Sequence, residues 1–477
     1  GQERGWSDVT AFNELAVVVG NSTWEVLNAK KALQVAWERA AATRTPGGKS
    51  KKQTPASLEN TKKHEALLTR MGAKPGKVVR QDGDPDAAFR RAAKIIERRY
   101  TAPFLAHNTM EPMNFFAQVT EDKAELIGPI QTPEQMEKSV AARLGLPLDR
   151  VDIQMTRMGG GFGRRLYGHF LVEAAVISQK MKAPVKLIYT REDDMRFGVY
   201  RPAYYAAYRA ALDANSNLIG WQVRAGGIPE SPLHANRFPA GAVEHYRAEE
   251  FAIPSNISVG AFRAPRSNFI AGAEQAFLDE VAEAAGKDPI DFRLELLQRA
   301  QTQPVGANND YDAKRYAGVL ELLREKLQQH PPAPGAGRGL AAYFCHNSYV
   351  AVALDAAVEN GEALVQQVCC AVDCGIVVNP DAAVNLTEGG IVDGIGHALY
   401  SQLTFKNGAP QQDNFNTYRL IRHGEAPKEI AVYFVQNETD PTGLGEPPFP
   451  PVFGALANAL YRATGRRFYR QPFVQDL

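Results

Sequence analysis

The stretch Met158-Gly-Gly-Gly-Phe-Gly-Arg164 decides the fold of this chain, because it is a loop of nearly bare backbone between two patterned segments. A strand is predicted before it, over Val151–Met158, and a helix after it, over Leu166–Lys182. A second strand, Val185–Thr190, is predicted next. Glycines let main-chain N–H groups approach an anion, and a helix N-terminus favours phosphate. The order strand, glycine loop, helix therefore predicts a site for a phosphate-bearing ligand.

A second glycine-framed motif, Gly443-Leu-Gly-Glu-Pro-Pro448, lies near the C-terminal end of the sequence. It places one carboxylate, Glu446, between a glycine and Pro447, ahead of a predicted helix over Val452–Ala463. A carboxylate on a proline-stiffened loop is suited to accept a proton in a fixed geometry. On the residues alone, a carboxylate that only caps the helix is an equally good interpretation.

Two familiar phosphate-binding loops compete with this interpretation. Gly159, Gly161 and Gly163 give G-x-G-x-G, but Arg164 stands where the dinucleotide fingerprint needs its third glycine. No Gly-Lys-Ser/Thr follows, so the loop is not of the Walker type. A Rossmann-type nicotinamide enzyme, with Glu192–Asp194 as its ribose-binding acids, is therefore the weaker alternative.

Length and charge set broad limits on the function. The 477 residues predict two or three domains, and 54 Lys+Arg against 53 Asp+Glu give no field that would attract nucleic acid or an anionic membrane surface. No apolar run is long enough to span a bilayer. The opening residues Gly1-Gln-Glu-Arg4 do not resemble a signal peptide, so we expect that an upstream segment has been removed.

The four cysteines, Cys345, Cys369, Cys370 and Cys374, contain no Cys-x-x-Cys pair. Zinc-ribbon, iron–sulfur and c-type haem sites are therefore not predicted, and no protein ligand to a metal is assigned. Buried free thiols are the simplest interpretation. Any electrons that leave the chain must therefore pass to redox centres on another polypeptide.

Other segments are predicted from periodicity and from Pro/Gly content. In chain order they are a strand (Leu15–Val19), a helix (Trp24–Trp37), a solvated basic loop (39–66), a helix (Asp86–Arg99) with Asp84 as its N-cap and Pro85 in its first turn, and a linker (Pro331–Gly337).

Several motifs in this order resemble those of the molybdenum hydroxylases, the xanthine oxidase/aldehyde oxidoreductase family. They are Met158–Arg165, Ala261-Phe-Arg-Ala-Pro-Arg266, Val372-Asp-Cys-Gly375 with Asn379-Pro380, and Gly443–Pro448. Three further segments are most similar to the isoquinoline 1-oxidoreductase beta-subunit-like members: Glu111-Pro112, Glu388-Gly-Gly-Ile-Val392 and Thr404-Phe-Lys-Asn-Gly408. The resemblance covers essentially the whole chain.

The resemblance implies an α+β fold in three parts. Residues 1–84 would be the end of a hammerhead domain with the basic loop. Residues 85–335 and 336–477 would be two molybdopterin-binding subdomains. Because the family's large subunit is usually longer at its N-terminus, the chain resembles the C-terminal two-thirds of that subunit.

The resemblance also implies a cofactor and a reaction. The cofactor would be molybdenum on a pterin dithiolene, in its cytosine dinucleotide form, and the reaction would hydroxylate an aldehyde or an aromatic N-heterocycle with oxygen from water. Glu446 aligns with the catalytic glutamate, Arg263 lies in the motif that reaches pterin and substrate, and Arg201 aligns with a substrate-orienting arginine. The implied cofactor contacts are Gly160, Gly161, Phe162, Gly163, Arg263, Gly389, Gly390 and Gly445.

Partners follow from the same resemblance. A small subunit with two [2Fe–2S] clusters would accept the electrons, and a cytochrome c is the candidate for a further acceptor. Members most similar to this chain are often periplasmic, which favours that compartment over the cytoplasm.

Three leucines depart from the family pattern. Leu105 stands where members often place a glutamine near the metal's oxo ligand, and Leu386 replaces a glutamine that helps to hold the pterin. Leu166 replaces the glutamate that the xanthine branch uses to grip a purine, which argues against a purine substrate. The alternative function is therefore a non-catalytic homologue that keeps the fold as a binding or assembly subunit.

Overall fold

The computed structural model describes residues 17–34, 36 and 58–477. Its α-helices are α1 (Thr23–Ala32), α2 (Thr61–Gly72), α3 (Pro85–Arg91), α4 (Pro133–Leu144), α5 (His169–Met181), α6 (Arg191–Arg196), α7 (Ser267–Ala284), α8 (Pro289–Thr302), α9 (Ala313–Leu327), α10 (Pro380–Leu399) and α11 (Phe449–Thr464). Its strands are β1 (Lys77–Asp82), β2 (Lys94–Ala102), β3 (Asn114–Val119), β4 (Ala124–Gly128), β5 (Val151–Met155), β6 (Val185–Ile188), β7 (Ala203–Leu212), β8 (Leu218–Ile228), β9 (His245–Ala252), β10 (Gly337–Cys345), β11 (Ser348–Glu359), β12 (Glu362–Asp373), β13 (Phe405–Lys406), β14 (Ala409–Pro410) and β15 (Glu429–Phe434). The mixture of helices and sheets confirms the α+β class.

The chain divides into two compact units. The smaller comprises residues 1–58, 114–157 and 168–187, and the larger comprises residues 59–113, 158–167 and 188–477. The smaller unit contains a four-stranded sheet in the order β5-β4-β3-β6, against which α4 and α5 pack. The glycine loop belongs to the larger unit, although the strand before it and the helix after it belong to the smaller one.

The larger unit contains two main sheets. One has the order β1-β9-β8-β7-β2, and the other has the order β10-β11-β12-β15. Helix α11 packs on β10 and β11 and also against α7. This close approach requires glycine in β10, because a Cβ at Gly339 would lie 2.1 Å from the main-chain nitrogen of Ala459. The buried sheet and α11 form a rigid base directly behind Glu446.

Most regular segments near the two motifs are confirmed. Strand β5, helix α5, strand β6 and helix α11 lie within or around the predicted ranges, and α1 lies within the predicted first helix. The Asp84 side chain accepts a hydrogen bond from the N–H of Ala87, and Pro85 occupies the first turn of α3. Residues 331–336 form a turn between α9 and β10, as expected for the linker.

Three predicted segments are wrong in their described parts. The helix over 86–99 ends at Arg91, because residues 94–102 pair in continuous antiparallel register with β7. Residues 61–66 of the basic loop belong to α2, which Asn60 caps and which buries His64 and Leu68. Residues 17–19 of the first strand have no regular structure, and the rest of that strand and residues 37–57 lie outside the described residues.

Candidate active site

Glu446 stands at the point where the Gly443–Pro448 loop enters α11. Its Oε1 accepts a hydrogen bond from the main-chain N–H of Ala264 at 2.7 Å. Its Oε2 lies 3.0 Å from Nε2 of His346, and the side chain remains 39% exposed. Phe449 donates its N–H to the Glu446 carbonyl at 3.0 Å, which closes the turn. The carboxylate is therefore fixed from two sides and still accessible.

The donor to Glu446 comes from an unusual stretch of backbone. Ala264 has φ 55° and Arg266 has φ 64°, both in the left-handed region that residues other than glycine rarely adopt. Such backbone costs on the order of 1–3 kcal/mol per residue and clusters at functional sites. Asn268 stabilises the turn, since its Nδ2 donates to the carbonyls of Phe262 and Arg263. The local geometry thus directs the Ala264 N–H to Glu446.

Arg263 is a clamp on the same loop. Its guanidinium donates from Nε to the Gly445 carbonyl at 2.9 Å and from Nη1 to Asp393 Oδ2 at 2.9 Å. Asp393 Oδ1 lies 3.2 Å from His397 Nε2, one turn further along α10. Burial alone would raise the pKa of Asp393, but His397 and Arg263 outweigh it and hold that pKa below its usual range. Arg263 therefore joins α10 to the residue before Glu446.

The glycine loop has its carbonyls turned toward the protein. The Gly160 carbonyl accepts from Arg165 Nε at 2.8 Å, and the Phe162 carbonyl accepts from the N–H of Arg263 at 3.0 Å. Gly160 has φ 100° and Phe162 has φ 53°. Among the described residues, the N–H groups of Gly160, Gly161 and Phe162 have no acceptor. The loop therefore presents three consecutive uncommitted donors.

Buried charge holds this loop from behind. Glu111 accepts the N–H of Gly159 at 2.6 Å through Oε2, and the same oxygen lies 3.0 Å from Arg165 Nη2. Arg165 is fully buried. The prediction that the loop runs directly into an α-helix is wrong, because a 3₁₀ turn (Arg164–Leu166) intervenes and α5 begins only at His169. Any anion at the loop therefore meets main-chain donors of the loop rather than those of α5.

The glycines assigned to cofactor contact divide into two kinds. Gly390 is needed for packing, because a Cβ there would lie 3.1 Å from Pro448 Cβ and 3.3 Å from Arg263 Nη2. A Cβ at Gly389 or at Gly445 would meet nothing within 4 Å among the described residues. A ligand could therefore approach the backbone at these two positions.

The structure brings together Glu446, Arg263, Gly390 and Phe162, whose ring lies 5.6 Å from the Arg263 guanidinium and is 43% exposed. Arg201 does not join this hydrogen-bonded group. It is 1% exposed, and its Nη2 donates to the Pro103 carbonyl at 2.6 Å. Its Nε and Nη1 have no partner in the described part of the chain. Burial lowers the pKa of Arg201 to about 10.

The three leucines occupy different surroundings. Leu105 is 1% exposed and pairs through its backbone with Arg201. Leu386 lies on α10 and is 44% exposed, and Leu166 ends the 3₁₀ turn after the glycine loop. Leu105 therefore belongs to the core, whereas Leu386 could contact a ligand.

Sequence reasoning missed His346, Asp393 and the Ala264 N–H. Asp393 and His397 are one helical turn apart, which is a recognisable pair spacing. His346-Asn347 between two apolar runs is a signal for a two-residue hairpin turn. Neither signal says that the group would reach Glu446, since the partners lie far apart in sequence.

A phosphate-bearing pterin fits these residues. The loop offers three main-chain N–H donors, and Gly389 and Gly445 leave open backbone, which suits the close approach of an anionic ligand. The described residues contain no group of three or more His, Cys, Asp or Glu side chains arranged to hold a metal ion. A metal carried by sulfur atoms of the cofactor itself would need no such group.

Two family descriptions match the sequence. Residues 71–297 and residues 269–427 each match a molybdopterin cofactor-binding domain. Together they span the glycine loop, Arg263 and Gly390, whereas Glu446 lies beyond the second match. Among the described residues, none of the helices combines the length and apolar composition needed to cross a bilayer.

Three relatives match over most of the chain. A membrane-bound aldehyde dehydrogenase (pyrroloquinoline-quinone) of Gluconacetobacter polyoxogenes is 29% identical and covers 96% of this chain, which spans 61% of that protein. The beta subunit of isoquinoline 1-oxidoreductase from Brevundimonas diminuta is 28% identical, with 81% of this chain and 51% of the relative covered. A nicotinate dehydrogenase subunit of Pseudomonas putida is 22% identical, with 84% and 36% covered. The chain thus spans less than two-thirds of each relative.

Solved structures share the fold. Quinoline 2-oxidoreductase from Pseudomonas putida 86 has a TM-score of 0.73 at 12% identity and covers 94% of this chain and 83% of its own. Aldehyde oxidoreductase from Desulfovibrio gigas has a TM-score of 0.70 at 16% identity, with 83% and 62% covered. The chain therefore belongs to the xanthine oxidase/aldehyde oxidoreductase family of molybdenum hydroxylases and corresponds to its molybdopterin-binding large subunit.

Proposed function

We propose that this chain is the catalytic, molybdopterin-binding part of an oxidoreductase that hydroxylates an aldehyde or an aromatic N-heterocycle with oxygen from water. The observation that carries the proposal is the state of Glu446, a carboxylate fixed by Ala264 and His346 yet 39% exposed. A general base needs both a fixed geometry and access to the proton it removes. A carboxylate that only caps α11 would face the first N–H groups of that helix, and Glu446 instead accepts from Ala264.

Each nearby group has a proposed task. Glu446 accepts a proton at Oε2, the oxygen that no main-chain donor occupies. Arg263 holds the loop through Gly445 and Asp393, so we assign it to positioning rather than to direct contact with substrate. When bound, the molybdenum cofactor supplies the oxygen-transfer and redox chemistry. Binding of its phosphate and pterin is assigned to the N–H groups of Gly160–Phe162 and to Gly163, Gly389, Gly390 and Gly445.

The substrate class rests on two side chains. Phe162 is exposed beside Arg263, which suits an aromatic or apolar substrate. Leu166 offers no carboxylate to grip a purine. The role of Arg201 in orienting the substrate stays a prediction, and the support for it is its two unpartnered nitrogens.

The remaining parts of the proposal concern the whole protein. We assign the cofactor to the cytosine dinucleotide form and the protein to the periplasm. We also expect a small subunit with two [2Fe–2S] clusters, followed by a cytochrome c, because the four cysteines of this chain are buried free thiols that carry no cluster motif. The domain limits 1–84, 85–335 and 336–477 are proposed with it.

Analysis of the purified protein tests this function. The chain should be co-expressed with its neighbouring genes and assayed for molybdenum and for cytidine monophosphate released by acid. Near-stoichiometric amounts of both support the enzyme. Absence of molybdenum would favour the non-catalytic homologue, and bound pyrroloquinoline quinone in its place would contradict the molybdopterin assignment.

A further inference from the structure

The turn between β10 and β11 reaches the candidate base. Cys345 and Ser348 are the last paired residues of the hairpin, and only His346 and Asn347 lie between them. Their φ angles are 51° and 60°, which identifies a two-residue hairpin turn with two left-handed residues. This backbone directs the His346 side chain out of the sheet and toward Glu446.

The turn is fastened to the Glu446 loop through the main chain. Gly443 donates its N–H to the His346 carbonyl at 3.2 Å. Ser348 Oγ lies 2.6 Å from Thr442 Oγ1 and also donates to the Gly443 carbonyl. A Cβ at Gly443 would lie 2.7 Å from His346 Cβ, so the first glycine of the motif permits this contact. The hairpin turn and the Glu446 loop therefore behave as one body.

A continuous chain of polar atoms runs through this body. Cys345 Sγ lies 2.8 Å from His346 Nδ1, and His346 Nε2 lies 3.0 Å from Glu446 Oε2. Burial raises the pKa of the Cys345 thiol to about 12, so the sulfur keeps its proton at neutral pH. One tautomer satisfies all three groups: the thiol donates to Nδ1, and Nε2–H donates to the carboxylate.

We propose that His346 is a positioning residue for Glu446, with its tautomer set by Cys345. This inference rests on the proposed role of Glu446 as the base. Ala264 fixes Oε1 and His346 fixes Oε2, so the carboxylate cannot rotate away from the substrate side. Hydrogen bonds from both sides also favour the ionised form, which is the form that can accept a proton.

Two substitutions separate this role from a purely structural one. Asparagine is among the residues that best tolerate left-handed backbone, so His346→Asn keeps the turn, but its amide ends near the position of Nδ1 and cannot reach Glu446. His346→Gln places an amide N–H close to the position of Nε2 but suits the turn less well. We expect His346→Asn to keep its thermal stability and molybdenum content while kcat falls about tenfold, as for loss of a hydrogen bond to a charged group.

His346→Gln should keep kcat within about threefold of wild type, because a donor to Glu446 remains. If His346 only shapes the turn, the order reverses, and the asparagine variant is the active one. That reversal would overturn the proposal.

A second measurement needs neither molybdenum nor turnover. Diethyl pyrocarbonate acylates an unprotonated ring nitrogen, and both nitrogens of His346 are engaged, whereas His423 is exposed and serves as an internal control. Peptide mapping of the purified complex should show His346 modified at least about tenfold more slowly than His423. Glu446→Leu, which keeps the bulk but removes the acceptor, should raise the rate at His346 alone. An unchanged rate would overturn the contact even where the proposed function holds, and absent molybdenum would sink only that function.

Discussion

The Glu446 loop and the glycine loop meet at Arg263 but have opposite characters. Around Glu446 the polar atoms are committed: the carboxylate to Ala264 and His346, and the Arg263 guanidinium to Gly445 and Asp393. In the glycine loop the N–H groups of residues 160–162 have no acceptor among the described residues. A committed network is suited to orient a reacting group, and uncommitted donors are suited to receive a ligand. The two loops therefore predict different losses when they are changed.

The largest effect should come from filling the glycine loop. Gly161→Val adds a branched side chain beside the donors that face the cofactor. We expect a folded protein that retains less than about a tenth of the wild-type molybdopterin and correspondingly little activity, since each lost charge-assisted hydrogen bond weakens binding.

Gly318→Val is a matched control for this change. Gly318 lies on α9, and an added Cβ would meet nothing within 4 Å. It should keep both cofactor and activity. Wild-type cofactor content in Gly161→Val would mean that the loop is structural and that its free donors receive nothing.

An intermediate effect is expected at the clamp. Asp393→Asn leaves Arg263 without its counter-charge and loosens the loop that carries Glu446. Turnover should fall roughly 10- to 100-fold, because small misplacements of a reacting group are costly. Cofactor content should stay near that of wild type. Loss of cofactor together with activity would show that the two loops are not separable.

The same variant gives a pH test of stability. The folded-state pKa of Asp393 is lowered, so its contribution to the free energy of unfolding is present above the unfolded value of about 3.9 and is lost as the pH falls through the lower folded value. The difference in stability between wild type and Asp393→Asn should therefore be constant at neutral pH and shrink below about pH 4. Chemical denaturation at several pH values measures it, and a difference that grows at low pH would reverse the assignment.

The smallest effect should come from two alanines in one motif. At Gly443 a Cβ would lie 2.7 Å from His346 Cβ, so Gly443→Ala should lower stability by about 1–3 kcal/mol, as overpacking does, and leave cofactor content unchanged. At Gly445 the space is open, so Gly445→Ala should spare stability and reduce cofactor content if the pterin approaches there. Thermal unfolding and molybdenum analysis separate the two, and equal behaviour of the pair would contradict the assignment of Gly445.

The sequence predicts the segments with strong local signals and misses those set by distant partners. Helix α11 and strand β5 follow from periodicity, and the α3 cap follows from Asp84-Pro85. Residues 94–99 read as helix because Arg, Glu and Lys favour it, yet pairing with β7 makes them a strand.

The candidate site divides in the same way. Glu446 and the glycine loop carry signatures within a few residues of chain. The groups that fix Glu446 come from the Ala264 turn and the His346 hairpin, and the group that fixes Arg263 comes from α10. No local pattern specifies those contacts, because they exist only after the larger unit has folded.

The central claim is that Glu446 performs proton transfer while the glycine loop holds the cofactor. Its most direct test is the turnover of Glu446→Gln per bound molybdenum, measured on the same purified complex. The amide keeps the shape of the side chain but cannot take the proton. We predict unchanged molybdenum content and a rate at least about 100-fold below wild type, the lower range for loss of a general base. A near-wild-type rate at full molybdenum content would remove Glu446 from the mechanism.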